Sequence, residues 1–291
     1  MSWAIVFDSS CNLHGFKPSA KDCTLKLVPL TIMVGGTEYV DDDRLDVGAL
    51  NRAVAGEDEA SSSSCPSVGG WAHSFEGADN VIAVTISSSL SGSYEAAVTA
   101  RNMVMESYMV EHAGNIAGKN IFVLDSHAAG GKLELLVRLI DRYLSNNPGA
   151  AFDDVVAYAR ALETHAQVLF SLSSYGNLTK NGRMPKLAGI LASHLKIRLL
   201  GTSNAAGAIK VAGSTRGERK TVAKIVSAMG SDGYRGGMVS IDHVDNEAMA
   251  QALKRAIIER WPAAEVYVEA CRGLCSYYAE MSGIIVGYEW L

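Results

Sequence analysis

The chain has 291 residues, which is long enough for two domains that each bury a core of their own. Its formal net charge of −5 argues against a nucleic-acid-binding protein, because phosphate recognition relies on clustered Lys and Arg. No apolar run approaches the roughly 20 residues that a membrane span needs, and the N-terminus MSWAIVFDSS lacks the basic start of a signal peptide. We therefore expect a cytoplasmic protein whose five scattered cysteines are free thiols.

The first half of the chain alternates between apolar extended stretches and helical patterns. Extended segments are predicted over WAIVFD (3–8), TLKLVPLTIMV (24–34), VIAVTIS (81–87) and NIFVLDS (120–126). Helical patterns follow the last two segments, and NNPG (146–149) closes the second helix. This alternation indicates parallel strands joined by crossover helices. We predict an N-terminal α/β domain with a parallel sheet over residues 1–150.

The second half is more mixed. A helix is predicted near 152–164, a strand over QVLFSL (167–172) and an apolar helix near 187–195. IRLLGTS and AIKVAG, separated by NAAG, predict a β-hairpin. Further strands are predicted over GGMVSIDH, EVYVEA and IIVGYE, and Pro262 ends the helix before EVYVEA. We predict a C-terminal α/β domain with a mixed sheet over residues 151–291, and a cleft between the two domains.

Two serine-rich loops lie in the predicted first domain, where polar residues after strands mark the ligand edge of an open α/β sheet. In SSSSCPSVGGW (61–71), Pro66 stands at a predicted first helical position, and in SSSLSGSY (87–94) a helix begins near Gly92. Unpaired N–H groups at a helix start, with hydroxyls beside them, can bind a carboxylate or a phosphate. The alternative is that the serines only cap helices, and the pattern alone favours it because capping serines are common.

Other kinds of site have weaker signals. The sequence contains neither a G-x-S-x-G elbow nor a Walker phosphate loop, and its histidines lack metal-binding spacing. Asp8 and Asp125 are expected to cap loops rather than to perform acid–base chemistry. VDDDRLD (40–46) is interpreted as a solvated loop, with a divalent-ion site as the alternative. Arg183 and Arg216 stand on glycine-containing loops, where an arginine either faces solvent or holds an anion at a cleft.

The order of these motifs resembles the DegV family from end to end. Family members carry a D-S-T/S start, a T-S-x-P-S loop, an I-S-S-x-L-S-G-T-Y loop, a D-S-x-x-x-S-x-G segment and a G-G-R-I-S-K-like turn. This chain has, in the same order, IVFDSSCNL, SSCPS, ISSSLSGSYEAA, VLDSHAAGGKLELLV and LTKNGRMPKLAGILASHLKIRLL, followed by STRGERKTV. VPLTIMVGGTEYVDD, between the first two, also matches. The resemblance covers nearly all 291 residues.

The resemblance implies two α/β domains with a long-chain fatty acid buried between them. In the family, hydroxyls of the two serine loops and the arginine of the G-G-R turn hold the carboxylate. Carried over to this chain, the implied carboxylate-binding residues are Ser63, Ser64, Ser91, Gly92, Ser93 and Arg183. The best-understood members are non-catalytic binding subunits of bacterial fatty acid kinase. They present the acyl carboxylate to a separate ATP-binding subunit, which makes an acyl phosphate for phospholipid synthesis.

Two further residues are implied by position. Arg216 matches an arginine on a loop that is linked to the kinase partner in the family. Many members carry H-T-G-P-G before the last strand, where this chain has YYAEMSG (277–283). The histidine position falls near Tyr278, whose hydroxyl is therefore a candidate neighbour of the fatty-acid head group.

Three functional hypotheses follow. The first is a fatty-acid carrier that has no catalysis, metal or cofactor of its own and works with a kinase subunit. The second is a hydrolase or acyltransferase with Ser91 or Cys65 as nucleophile, although no histidine is placed by motif near either loop. The third is a kinase-like or phosphosugar-binding protein, which would need a phosphate loop or a metal cluster. The resemblance favours the carrier.

Overall fold

The computed structural model describes residues 1–56, 61–112, 114, 118–184 and 197–290. Its strands are β1 (Trp3–Asp8), β2 (Cys23–Val28), β3 (Thr31–Val34), β4 (Thr37–Val40), β5 (Ser62–Ser64), β6 (Asn80–Thr85), β7 (Asn120–Asp125), β8 (Ala166–Leu172), β9 (Ile197–Ser203), β10 (Ile209–Arg216), β11 (Met238–His243), β12 (Glu265–Ala270) and β13 (Ile284–Glu289). Its helices are α1 (Val47–Gly56), α2 (Val68–Ser74), α3 (Ser93–Glu111), α4 (Gly131–Asn146), α5 (Phe152–Thr164), α6 (Gly176–Lys180), α7 (Glu218–Ser231), α8 (Glu247–Arg260) and α9 (Gly273–Ala279).

Four strands from the first half of the chain form a parallel sheet in the order β2-β1-β6-β7. Every residue of β1 and β6 is buried, because helices cover both faces of the sheet. In β1, Ile5 and Phe7 face a core shared with α4 and α5, whereas Ala4 and Val6 face α2 and α3. Continuous apolar runs such as WAIVFD are typical of strands that are buried on both faces.

Six strands from the second half form a mixed sheet in the order β10-β9-β8-β13-β11-β12. Neighbouring strands are antiparallel except for the parallel pair β11 and β12. The β9–β10 pairing confirms the predicted hairpin. Helices α7 and α8 pack on one face of this sheet around a second core, which includes Ile225, Met229 and Leu253. The predicted fold class, α/β with a parallel and a mixed sheet, is confirmed.

Helix α4 lies between the two sheets. Twelve of its 16 residues are buried, and its start touches the mixed sheet so closely that a Cβ on Gly287 would lie 2.2 Å from the backbone carbon of Gly131. Helix α9 returns from the second half to pack on α1 and β3. The strands of the parallel sheet end at Asp125 and those of the mixed sheet begin at Ala166, while the division into domains at residue 150 stays a prediction.

Several local predictions need correction. TLKLVPLTIMV is two strands, β2 in the parallel sheet and β3 in a small antiparallel sheet of order β4-β3-β5, because Pro29 cannot donate to a ladder and interrupts the run. Helix α2 begins at Val68 with Ser67 as its N-cap, so Pro66 is not its first helical residue. The apolar helix predicted near 187–195 lies outside the described residues. Within the described ranges, no helix combines the length and apolar character required to cross a membrane.

Candidate functional site

A cavity of about 360 Å³ is lined by residues from both halves of the chain. Its volume falls within the range of small-molecule sites, about 300–1,000 Å³. Much of its wall is apolar and includes Leu30, Ile86, Val168, Phe170, Leu172 and Ile285. Such a wall suits an apolar ligand, because burying apolar surface is favourable by about 0.8 kcal/mol for each methylene group.

Hydroxyl groups from separate segments meet in one part of this wall. The hydroxyls of Ser63 and Tyr278 are 2.8 Å apart and share a hydrogen bond, although the two residues are 215 positions apart. The loops that follow β5 and β6 also meet there, since a Cβ on Gly92 would lie 3.5 Å from the Cys65 sulfur. Arg183 joins them by donating from Nε to the Leu90 carbonyl at 3.0 Å.

The structure places most of the predicted ligand residues at the cavity. Those that line it are Ser63, Ser64, Ser91, Gly92, Arg183 and Tyr278. Ser93 does not line it: its buried hydroxyl donates to Asp8 Oδ2 at 2.7 Å. Arg216 is exposed at the end of β10, away from the lining. The binding roles of all eight residues stay predictions.

The buried Asp8 carboxylate holds the serine loop that follows β6. It accepts hydrogen bonds from the Ile86 N–H at 2.9 Å and from the Ser93 hydroxyl. The backbone N–H and the hydroxyl of Ser10 also donate to it. Burial raises the pKa of Asp8, and these hydrogen bonds act in the opposite direction. The carboxylate organises loops, as the sequence predicted. The Ser93 hydroxyl donates to Asp8, whereas Ser91 is the serine at this helix start that lines the cavity.

Two other serines of the loop after β6 hold the turn of the β9–β10 hairpin. Ser87 Oγ donates to the Gly207 carbonyl at 2.9 Å, and Ser89 Oγ donates to the Ala206 carbonyl. Gly207 lines the cavity with a φ of +77°, and a Cβ there would lie 2.1 Å from Ser87 Oγ. The serines of this loop therefore include both cavity-lining and structural members. The sequence did not indicate this division, because the turn lies more than 100 residues from the serines.

Helix α9 brings Tyr278 to the cavity, and Asp41 positions the start of that helix. The Asp41 carboxylate accepts from the N–H groups of Gly273 and Leu274 at 2.8 Å each. Burial raises the pKa of Asp41 to about 6. The prediction that this residue belongs to a solvated loop was therefore wrong, since α9 covers it. No local signal could reveal this contact, because its partners are over 230 residues away along the chain.

The described lining residues include no histidine, aspartate or glutamate. His127 lies outside the lining, where its Nδ1 is 3.0 Å from Glu163 Oε1. Ser91 and Cys65, considered as nucleophiles, thus have no candidate base among these lining residues. Among the described residues, no group of three or more His, Cys, Asp or Glu side chains is placed to hold a metal ion.

Comparison with known proteins identifies the family. The sequence model described as "Uncharacterised protein, DegV family" matches residues 2–284. A DegV domain-containing protein of Streptococcus pyogenes serotype M3 is 35% identical over 289 residues, covering 99% of this chain and 100% of that protein.

Two solved structures extend the comparison to three dimensions. The Streptococcus pneumoniae Fatty Acid Kinase (Fak) B3 protein loaded with linoleic acid is similar at a TM-score of 0.93 and 35% identity, over 99% of each chain. A DegV family protein from Eubacterium eligens loaded with heptadecanoic acid is similar at 0.90 and 30% identity, over 100% of each chain. These similarities span the chain from end to end, and it belongs to the DegV family.

Proposed function

We propose that this chain binds a long-chain fatty acid in the cavity and presents the carboxyl group to a separate kinase subunit for acyl phosphate formation. The observation that carries the proposal is the combination of an apolar cavity wall with a group of hydroxyls in one part of it. The fatty acids in the S. pneumoniae and E. eligens relatives support the same class of ligand.

The cluster of hydroxyls in the cavity wall is suited to binding a carboxylate. A carboxylate next to apolar surface is costly unless several donors satisfy it. Ser63 and Tyr278 use one proton in their mutual hydrogen bond, which leaves the second proton for a ligand. Ser91 Oγ accepts from the Ser93 N–H at 3.3 Å, so its own proton can point towards the cavity. Arg183 adds a positive charge to the same region.

The position of this region supports presentation to a partner. Ser64, Cys65 and Gly92 are lining residues that are also exposed, so a head group held there can be reached from outside. Arg216 is exposed outside the cavity and is the candidate contact with the kinase. The similarity to a protein named as part of fatty acid kinase supports a kinase partner, while the role of Arg216 is inferred from its position alone.

The binding step is tested by titrating delipidated protein with oleic acid and, as a matched control, with methyl oleate. The ester keeps the acyl chain but removes the negative charge. We expect saturable binding of one oleic acid per chain and at least roughly tenfold weaker binding of the ester, because hydrogen bonds to a charged group are worth about 1.5–3 kcal/mol. Equal affinities would reject a carboxylate site, and no binding of either would reject a lipid cavity.

The presentation step needs a second assay. With a fatty acid kinase ATP-binding subunit, ATP and oleic acid, we expect acyl phosphate only when this chain is present. The chain alone should neither phosphorylate the acid nor hydrolyse acyl esters. Ester hydrolysis that disappears in Ser91→Ala or Cys65→Ala would instead support the hydrolase hypothesis.

A further inference from the structure

We propose that Phe170 determines which acyl chains fit the cavity and that Gly201 determines where the Phe170 ring lies. This inference rests on the proposed fatty-acid function and identifies the residues that select among long-chain acids.

The Phe170 ring lies across the backbone of the neighbouring strand. Phe170 of β8 and Gly201 of β9 are directly opposite partners in the antiparallel ladder. A Cβ on Gly201 would lie 2.2 Å from Phe170 Cζ, 2.3 Å from Cε2 and 2.9 Å from Cε1. All three atoms belong to the far edge of the ring. The ring therefore leans over Gly201 and occupies the space that any other side chain at position 201 would fill.

The ring has apolar neighbours on its own strand and on β13. Val168 and Leu172 flank Phe170 along the same face of β8, and Ile285 stands opposite it on β13. All three line the cavity together with Phe170. Because a Cβ at Gly201 would overlap the ring, a side chain there would displace it, and the cavity that the ring lines is the free space beside it. The absence of a Cβ at Gly201 thus keeps this part of the cavity open.

The consequence for a ligand depends on the length of its acyl chain. A displaced ring takes space from the acyl chain that would pass it. Each methylene group that loses its buried position weakens binding roughly fourfold. Long acids therefore lose more affinity than acids that end before the ring.

The test measures the affinities of decanoic, palmitic and linoleic acids for the wild type and for Gly201→Ala, Phe170→Ala and the double variant. We expect Gly201→Ala to weaken palmitic acid at least roughly tenfold, which corresponds to about two methylene groups, and decanoic acid by less. Removing the ring in the double variant should restore palmitic acid to the affinity of Phe170→Ala. Gly149→Ala is the control, since a Cβ there meets nothing within 4 Å.

The outcomes separate this inference from the proposed function. If the wild type binds none of the acids, the proposed function itself fails. If the wild type binds them and folded Gly201→Ala keeps the wild-type affinities, or the double variant is as impaired as Gly201→Ala, the inference is wrong. If Gly201→Ala does not fold, the affinities of Phe170→Ala for linoleic and palmitic acids test the inference instead. We expect this variant to favour linoleic acid, which is longer and bent, over palmitic acid more than the wild type does, because removing the ring widens the cavity, and an unchanged ratio would overturn the inference.

Discussion

Ser91 and Ser67 stand at similar loop-to-helix positions but have different surroundings. Ser67 Oγ accepts from the Gly70 N–H at 3.0 Å and caps α2, whereas Ser91 lines the cavity. We predict that Ser91→Ala weakens fatty-acid binding roughly tenfold, because it removes a donor to a charged group. Ser67→Ala should instead lower the free energy of unfolding by about 1 kcal/mol and leave affinity unchanged. Lipid titrations and thermal melts of both variants check this, and a lowered melting temperature with unchanged affinity in Ser91→Ala would identify Ser91 as a helix cap only.

Arg183 and Arg216 are expected to act on different steps. Arg183 lines the cavity, and Arg216 is exposed outside it. Arg183→Ala should weaken fatty-acid binding. Arg216→Ala should keep the wild-type affinity but reduce acyl phosphate formation when a kinase subunit is supplied. Lys210→Ala, another exposed cation of β10, is the control, and an equal loss of activity in that variant would show that general charge rather than Arg216 matters.

A pair of fully buried carboxyl groups makes stability depend on pH. Burial, together with the charge of Asp242, raises the pKa of Glu134 well above its ordinary value, and burial raises the pKa of Asp242 to about 6. Asn12 Nδ2 donates to Asp242 Oδ2 at 2.6 Å, but both Glu134 oxygens have no donor if the two groups are ionised. We expect the two carboxyl groups to share a proton, which gives Glu134 its missing hydrogen bond.

The sign of the effect follows from proton linkage. Above about pH 4 the unfolded chain releases protons that the folded chain still holds. The pair therefore contributes fully to the stability of the folded state below that pH, and its contribution falls as the pH rises through about 6. Glu134→Gln cannot ionise and still offers N–H donors. We predict that it flattens the decline of the free energy of unfolding between about pH 5 and 8. Urea denaturation at several pH values measures this against Glu106→Gln, an exposed control, and an unchanged slope would contradict the shared proton.

At the scale of elements, the contact between α4 and β13 holds the two sheets together. A Cβ on Gly287 would lie 2.2 Å from the backbone carbon of Gly131 and 2.3 Å from the Lys132 nitrogen. Because backbone atoms cannot rotate away as a side chain can, Gly287→Ala must shift α4 from the mixed sheet. We predict a loss of about 3 kcal/mol or more in the free energy of unfolding. The control Gly149→Ala should change it little, and equal stabilities in chemical denaturation would contradict the close contact.

The sequence indicated some elements and missed others for physical reasons. WAIVFD and the strand around residues 81–85 were predictable because burial on both faces requires continuous apolar residues. The three-residue strand β5 was not, because SSS carries no apolar pattern and forms a strand only by pairing with β3. The two serine loops became candidate ligand loops only through the family resemblance, because capping serines are common. Their attachment to Asp8, Gly207 and Tyr278 was not predictable, because those partners are separated by 78 to 215 residues.

At the scale of the whole molecule, the cavity is lined by strands of the mixed sheet and by loops that follow strands of the parallel sheet. Lining residues come from the loop after β6 and from β8, β9 and β13, so one ligand contacts elements that are distant in the sequence. A ligand that binds only the folded chain stabilises it in proportion to the logarithm of its concentration over Kd. A bound fatty acid should therefore join the two halves and raise the melting temperature.

The most direct test of the central claim is mass spectrometry of lipids extracted from the purified protein under denaturing conditions. The proposed function predicts a saturated or monounsaturated long-chain fatty acid in near-equal molar amount to the chain. The delipidated protein should take up added oleic acid to the same ratio and melt at a higher temperature as it does so. Extracts that repeatedly contain no fatty acid, together with no uptake of oleic acid by folded, delipidated protein, would contradict the account.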